Sequence, residues 1–441
     1  MTNMFWETRA NHQPVFMVHL ITLDPAHFHA ALLLKKNHPK IDSVVHVYAP
    51  DGPDLRAHLQ LIDQYNQQLT PANWKTVVYT GKDYAERMAA DQKGNLVILS
   101  GNNAYKTRNI TLSVNAGLNV LADKPMAISE GDFQSLLRAF NIARDKKVLL
   151  YDIMTERYEI CHQLQRALAA DQQIFGNAEK GSRENPAVIM ESKHHYFKKV
   201  SGKAIQRPAW FFDPRQQGDP LADVGTHLAD LIFWTCFPDK AIDYKSDLTE
   251  INTRFHPLKL SREQFHTLTD SDNYPEFLQP YIQSDNTLEL PANGELNFVV
   301  KGVHARVSVN WAFESPHGAD THLALLRGTH SDLVIRQQAE GNFIPELYIL
   351  AHPPSNQQQV STALQQFIQQ QQQKFPGLDV KEVNEGWKIV IPEKLRNSHE
   401  DRFSLVLDRY IQYLEKKELP DWEIPNMIAK YYLTTSAKGC G

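Results

Sequence analysis

A doubly wound α/β region, followed by an α+β region built on a large, mostly antiparallel open sheet, is the architecture this sequence predicts. Three observations carry it. Strands alternate with helices over about the first 150 residues, as a parallel sheet requires. From Ile251 to Leu350 the pattern turns to short strands joined by tight connections such as Lys301-Gly302 and Arg327-Gly328, as antiparallel neighbours require. The chain has 441 residues, too many for one ordinary core, and the expected division is 14–152 and 153–441.

Each element has its own signal. Val15 to Leu23 reads as a buried strand and Ala26 to Lys36 as a helix. Ser43 to Tyr48 is a β-branched strand broken by Pro50-Asp51-Gly52-Pro53. Asp54 to Gln68 is helical, Trp74 to Tyr79 a strand, Asp83 to Asp91 a helix, Asn95 to Leu99 a strand and Ala104 to Ala116 a helix. Gly117 suits a left-handed helix end, and Asn119 to Leu121 follows as a short strand. Glu130 to Lys146 and Val148 to Asp152 complete the alternation. A crossover through Arg157-Tyr158 leads into a helix ending at Ala169. Val188 to Glu191 opens a strand that runs on through Lys193-His194-His195-Tyr196, with Lys193 and His195 on one face and His194 on the other. Strands are expected at Thr287–Leu290, Leu296–Val300, Ala305–Phe313, His322–Arg327, Asp332–Gln337, Pro345–Leu350 and Trp387–Ile391. Helices are expected over Gln357–Lys374, despite its glutamines, and over Glu400–Lys417 and Pro425–Thr435.

Composition narrows the function. Hydrophobic residues make up 42% of the chain, net charge is −5, and no basic run is interleaved with aromatics. Nucleic acid and membrane are therefore not expected partners. The three cysteines, Cys161, Cys236 and Cys440, are far apart and set no disulfide or zinc spacing. The polar N-terminus and the lack of a long apolar run lead to a cytoplasmic expectation.

Chemistry concentrates in two stretches. Asp123-Lys124-Pro125 stands just past the carboxyl end of a strand, where open α/β sheets bind ligands, and Pro125 restricts the backbone of Lys124. Asp223, His227 and Asp230, in Asp-Val-Gly-Thr-His-Leu-Ala-Asp, fall at i, i+4 and i+7, one stripe of a helix. The two stretches together resemble the motifs of the Gfo/Idh/MocA oxidoreductases, the family of glucose-fructose oxidoreductase and inositol dehydrogenase. Those carry Glu-Lys-Pro in a Rossmann domain and Asp-x-Gly-x-His-x-x-Asp in a second domain. The likeness runs from about Pro14 to Ala437.

The resemblance implies a Rossmann-like unit that binds NAD or NADP, a second unit for substrate and association, and a sugar, cyclitol or derivative as substrate. It implies a homodimer or homotetramer, with Trp311 and Phe313 on the associating face. Lys124, His227 and Asp223 are the implied catalytic residues: His227 as base, Asp223 orienting it, Lys124 polarising the substrate oxygen. Asp123 and Lys124 would also face the cofactor, and Arg157, Lys193, His195, Trp210 and Asp230 the substrate.

The chain departs from the family at the first turn. Leu23-Asp24-Pro25-Ala26-His27-Phe28-His29 replaces Gly-x-Gly-x-x-Gly, with Thr22, Asp24 and His27 near the glycine positions, so this is an atypical subgroup. His27 and His29 form a His-x-His whose further metal ligands no spacing reveals, and no metal is expected. Asp51 is the candidate for the ribose hydroxyls, or a turn former; Asn102 and Asn103 are candidates for the nicotinamide ribose, or helix caps. Three readings stay open: an NAD(P)-dependent dehydrogenase, a glycosidase or lyase that oxidises transiently on a retained cofactor, and a non-catalytic binding protein.

Overall fold

The computed structural model describes residues 16–436 apart from 69, 71, 201, 202, 205, 316–318 and 353–356. Pro14, Val15, Ala437 and Cys440 lie outside the described residues. The first region runs β1 (Val18–Leu23), α1 (His29–Leu32), β2 (Ile41–Tyr48), α2 (Pro53–Asn66), β3 (Lys75–Tyr79), α3 (Tyr84–Asp91), β4 (Leu96–Leu99), α4 (Asn103–Asn115), β5 (Asn119–Asp123), α5 (Glu130–Lys146) and β6 (Leu150–Ile153). Its strands form one parallel sheet in the order β3-β2-β1-β4-β5-β6, so the order reverses at β1 and β4. That reversal opens a crevice at the strands' carboxyl ends.

The chain then crosses through a 3₁₀ turn (Thr155–Tyr158) into α6 (Ile160–Ala169), β7 (Val188–His195), the short β8 (Lys199–Val200) and β9 (Lys203–Ala204), and α7 (Pro214–Gln217). A π-helical turn, Leu221–Gly225, feeds α8 (Thr226–Cys236). Next come β10 (Leu248–Leu260), α9 (Arg262–Thr269), β11 (Leu288–Val300), β12 (Val303–Ala312), β13 (Thr321–Arg327), β14 (Ser331–Gln337), β15 (Glu346–Ala351), α10 (Gln357–Gln371), β16 (Asp379–Val383) and β17 (Gly386–Val390). These build a nine-stranded sheet in which β7 lies parallel to β12 and antiparallel to β13. Helices α6 and α8 cover one face, burying Leu164, Leu168, Leu228 and Ile232 against Met190, Val307 and Ala324.

The last two helices, α11 (His399–Lys416) and α12 (Glu423–Ser436), return to the parallel sheet. Phe403, Val406, Leu407, Tyr410, Ile411 and Leu414, spaced three and four apart, seat α11 in the core of that sheet. Burial of each such side chain is worth about 1.5–3 kcal/mol. The Tyr410 hydroxyl donates to the carbonyls of Val120 at 3.0 Å and Leu149 at 2.7 Å, fixing the helix beside β5 and β6.

Several expectations change. The helix expected from Ala26 to Lys36 is only four residues long, flanked by tighter i→i+3 bonds such as Ala31 N to Phe28 O and Leu34 N to Ala31 O. The strands expected at Thr287–Leu290 and Leu296–Val300 are one, β11. Strands β10 and β16 were not expected. Trp311 faces the helix-covered side of the sheet and stacks on Tyr196 at 4.6 Å, so it does not mark an outer associating face. Toward β7 and β12 that outer face carries Glu191, Arg306 and Ser308.

Candidate active site

The crevice is closed from both sides by one ion pair. β5 ends on Asp123, and the next residue, Lys124, extends its ammonium onto the Asp223 carboxylate in the π-helical turn before α8. It also donates to the Asp223 backbone carbonyl at 3.2 Å. Burial opposes ionisation of Asp223, but the Lys124 charge and hydrogen bond outweigh it and hold the carboxyl at about 2. The π turn alters the predicted stripe: Asp223 precedes the regular helix, makes no cap bond, and pairs with lysine rather than with His227. His227 lies just inside α8. Burial, then the Lys124 charge, push it down to about 3, so its imidazole is neutral at neutral pH. Its Nδ1 is buried without a hydrogen-bond partner among the described residues.

Beside this pair the first βα turn folds onto the end of β5. His29 Nδ1 lies 2.9 Å from Asp123 Oδ2, and His27 Nδ1 lies 3.8 Å from the same oxygen. Ser100 Oγ donates to it at 3.1 Å, and the His27 main-chain N–H donates to the Ser100 carbonyl at 2.8 Å. Asp24, in the left-handed region at φ 52°, packs its carboxylate against Gly101, where an added Cβ would meet Asp24 Oδ2 at 2.2 Å. Burial, reinforced by Asp54, raises Asp24 to about 6 against the pull of Lys106. Lys106 is itself buried, which lowers it to about 8 against the pull of Asp123.

On the second region's side, Asp223 borders a narrow cleft lined by Tyr196, Phe211, Phe212, Leu290 and Trp311. His194 lies on the other side of Trp311, with ring centroids 5.0 Å apart, and its Nδ1 is 2.9 Å from Asp320 Oδ2. The guanidinium of Arg207 sits 4.6 Å from the Phe211 ring.

The predicted residues divide sharply. Lys124, Asp223, His227, Asp123, His27 and Asp24 converge on the crevice. Asp51 is exposed beyond β2, in a loose pair with Arg56 at 3.1 Å. Trp210 stands beside Asp54 at the start of α2. The rest are corrected. Thr22 is fully buried within β1. Asn102 and Asn103 spend their side-chain amides on Gln216 Oε1 at 2.9 Å and the Gln217 carbonyl at 2.8 Å, and Asn102 also caps α4. Lys193 and His195 project to the outer face of the sheet, where His195 meets Asp320 at 3.1 Å; the residue on the helix-covered face, beside Trp311, is His194. Arg157 and Asp230 are locked in a buried network. Arg157 grips Asp230 through two bonds of 2.6 Å and Glu423 through bonds of 2.9 and 3.0 Å. Lys430 joins Asp230 at 2.7 Å to Asp152 at 2.8 Å. Sequence reasoning missed Tyr196 and Phe211 at the cleft and Glu423 and Lys430 in the network; the aromatic density of 209–212 was the one available signal.

With this geometry in hand, likeness to known proteins can be read. A family model described as "Putative oxidoreductase C terminal domain" matches residues 164–440. The chain is 44% identical to a "putative oxidoreductase" from Parabacteroides merdae, whose crystal structure superposes with a TM-score of 0.93 over 96% of this chain and 97% of that one. More distantly, it shares its fold with a 3-ketoreductase from Actinomadura kijaniata in complex with NADP and TDP-benzene (12% identity, TM-score 0.56, 96% of each chain covered). It also shares it with a levoglucosan dehydrogenase in complex with NADH and levoglucosan (11% identity, TM-score 0.60, 95% and 96% covered). No curated protein matches.

Proposed function

This chain belongs to the oxidoreductase C-terminal domain family, and from that premise we propose that it is an NAD(P)-dependent dehydrogenase, an atypical Gfo/Idh/MocA enzyme, acting on a hydroxyl-bearing carbon of a sugar, cyclitol or derivative. One observation carries the reading: Lys124, at the ligand-binding end of the parallel sheet, is held by Asp223, which also borders the aromatic cleft. The cofactor belongs on 14–152 and the substrate on the region that follows. Distant relatives by fold support the pairing, since one is in complex with NADP and TDP-benzene and another with NADH and levoglucosan.

The residues fit a dinucleotide. Asp51 is exposed beyond β2, where ribose hydroxyls can replace its loose contact with Arg56, and the strand order reverses at β1 and β4 as a dinucleotide crevice requires. The fit has one chemical condition: the buried Asp24 carboxyl stands in the turn that a pyrophosphate approaches and must be protonated to avoid repulsion. A bound nicotinamide would supply or accept the hydride. The ammonium of Lys124 donates a hydrogen bond to the substrate oxygen and steadies its developing charge. Asp223 aims that ammonium. Neutral His227, a weak base at about 3, accepts the hydrogen bond of the substrate hydroxyl and orients it, and the hydroxyl proton leaves to solvent. Tyr196, Phe211 and Trp311 line the apolar wall of the cleft that Asp223 borders.

Calorimetry with NAD⁺, NADH, NADP⁺ and NADPH, with mass spectrometry of any nucleotide released on denaturation, tests the proposal. Binding of one pair is expected; no binding and no co-purified nucleotide would exclude a dehydrogenase.

A further inference from the structure

We infer that His27, His29 and Asp123 form a site for one divalent metal ion of the zinc type. Among the described residues these side chains form a group whose ligand atoms all lie within 4.8 Å of one another. Asp123 Oδ2 is 2.9 Å from His29 Nδ1 and 3.8 Å from His27 Nδ1. Ligands at 2.0–2.1 Å around a tetrahedral zinc stand about 3.3–3.4 Å apart, so the observed spacings bracket what a shared ion needs. The two histidines approach each other within the same 4.8 Å limit.

The surroundings are those of a prepared site. Ser100 Oγ donates to Asp123 Oδ2, the oxygen both histidines face, and the Ser100 carbonyl anchors the His27 main chain, so the residue after β4 fixes both the carboxylate and the turn. Phe403 packs on the His29 ring at 4.6 Å and holds its orientation. Outer contacts of this kind orient metal ligands. The His27 side chain is 28% exposed, so the triangle has an open side for a water or substrate oxygen next to Lys124. Two imidazoles and one carboxylate suit a borderline ion such as zinc over magnesium or calcium. The histidines also explain the turn. A glycine turn lets backbone approach a phosphate; this one presents side-chain donors instead.

The test uses the full-length protein stripped with chelator, without nucleotide, so that it stands apart from the dehydrogenase reading. Calorimetric titration with ZnCl₂ should show one tight equivalent, and CoCl₂ should give the visible absorption of a low-coordinate nitrogen-ligated ion. MgCl₂ should not compete. His27→Ala, whose ring is partly exposed, should remain cooperatively folded by circular dichroism and bind zinc at least ~100-fold more weakly, beyond the 10–100-fold of losing an outer contact. His29→Gln should do the same. Absence of a stoichiometric zinc site in the wild type, or unchanged zinc affinity in folded His27→Ala, would overturn the assignment.

Discussion

Asp223 and Asp230 are the two ends of one motif and meet opposite fates. Asp230 is saturated: Arg157 grips it with two bonds, Lys430 adds a third, and Glu423 and Asp152 neutralise the cations in turn. Burial works against the Asp230 charge, and Arg157 with Lys430 more than restores it. Asp223 has one cation, Lys124, whose ammonium gives it two of three donors and keeps one, and Asp223 itself borders the cleft. A buried charge with every partner satisfied is architecture; a charge pair with unused donors beside a cavity is equipment for a ligand. The network also ties α12 to the crossover after β6, so it joins the chain's end to the sheet that its beginning built.

The comparison is broken most forcefully at Asp230. Asp230→Ala leaves Arg157 and Lys430 buried without their shared carboxylate, and should cost about 3–5 kcal/mol. Chemical denaturation should show it as a lowered midpoint with an unchanged slope. If Asp230 served a substrate instead, stability would hold and only the Michaelis constant would change. Lys124→Ala should act mainly on turnover. Turnover should fall at least ~100-fold, the low end for losing a donor to a developing oxyanion, while the midpoint falls less than in Asp230→Ala, because Asp223, left without its cation, can take up a proton. An enzyme that keeps its turnover without Lys124 would place the chemistry elsewhere, with His227 next in line.

How much of this was legible in the sequence depends on the distance over which a feature is decided. The parallel sheet was legible because buried runs such as Leu96–Leu99 and Asn119–Asp123 sit between helices with clear local ends. Strand β11 was read as two because Pro291, Asn293 and Gly294 interrupt it. Gly294 is there because a Cβ would meet the Leu221 side chain at 2.8 Å, a contact across 73 positions that no local pattern carries. Strand β10 hid behind outward-facing polar residues from Thr249 to Arg254. At the site, Lys124 and Asp223 were legible as members of two motifs, but their pairing, 99 positions apart, was not. Nor was the meeting of His29 with Asp123, 94 positions apart. The helical spacing of Asp223, His227 and Asp230 misled because the π turn ends before Thr226 and rotates Asp223 toward the crevice.

A smaller change sharpens the contrast. Asp223→Asn preserves shape but removes the counter-charge that aims Lys124. Since Asp223 makes no cap bond, a stability loss from uncapping is not expected. Turnover should fall about 10- to 100-fold, by the loss of one charge-assisted hydrogen bond worth about 1.5–3 kcal/mol. The change should appear in kcat more than in nucleotide affinity, measured by steady-state kinetics and calorimetry on the same preparation. A loss of nucleotide affinity without loss of kcat would move Asp223 from the substrate to the cofactor.

Asp24 completes the series, because this buried carboxylate forms no ion pair among the described residues. Burial, with Asp54 nearby, raises it from 3.8 to about 6 in the folded chain. Between those values the folded protein holds a proton that the unfolded chain has lost, so the stability linked to this group is present below about pH 4 and is lost as pH rises through about 6. Asp24→Asn should therefore raise the melting temperature at pH 7.5 more than at pH 5, a difference that cancels the other titrating groups. The same proton governs the nucleotide. A pyrophosphate in this turn adds negative charge, lifts the carboxyl further, and draws in a proton on binding. Affinity for the preferred nucleotide should rise as pH falls from 8 toward 6, by at most ~tenfold per unit, and level off below. Calorimetry in two buffers of different ionisation enthalpy should register the proton uptake directly. In Asp24→Asn both the slope and the uptake should vanish, with affinity at pH 8 matching the wild type at pH 6. A slope that survives the substitution would mean that the pyrophosphate lies away from Asp24, and that the turn at His27 meets something other than a phosphate.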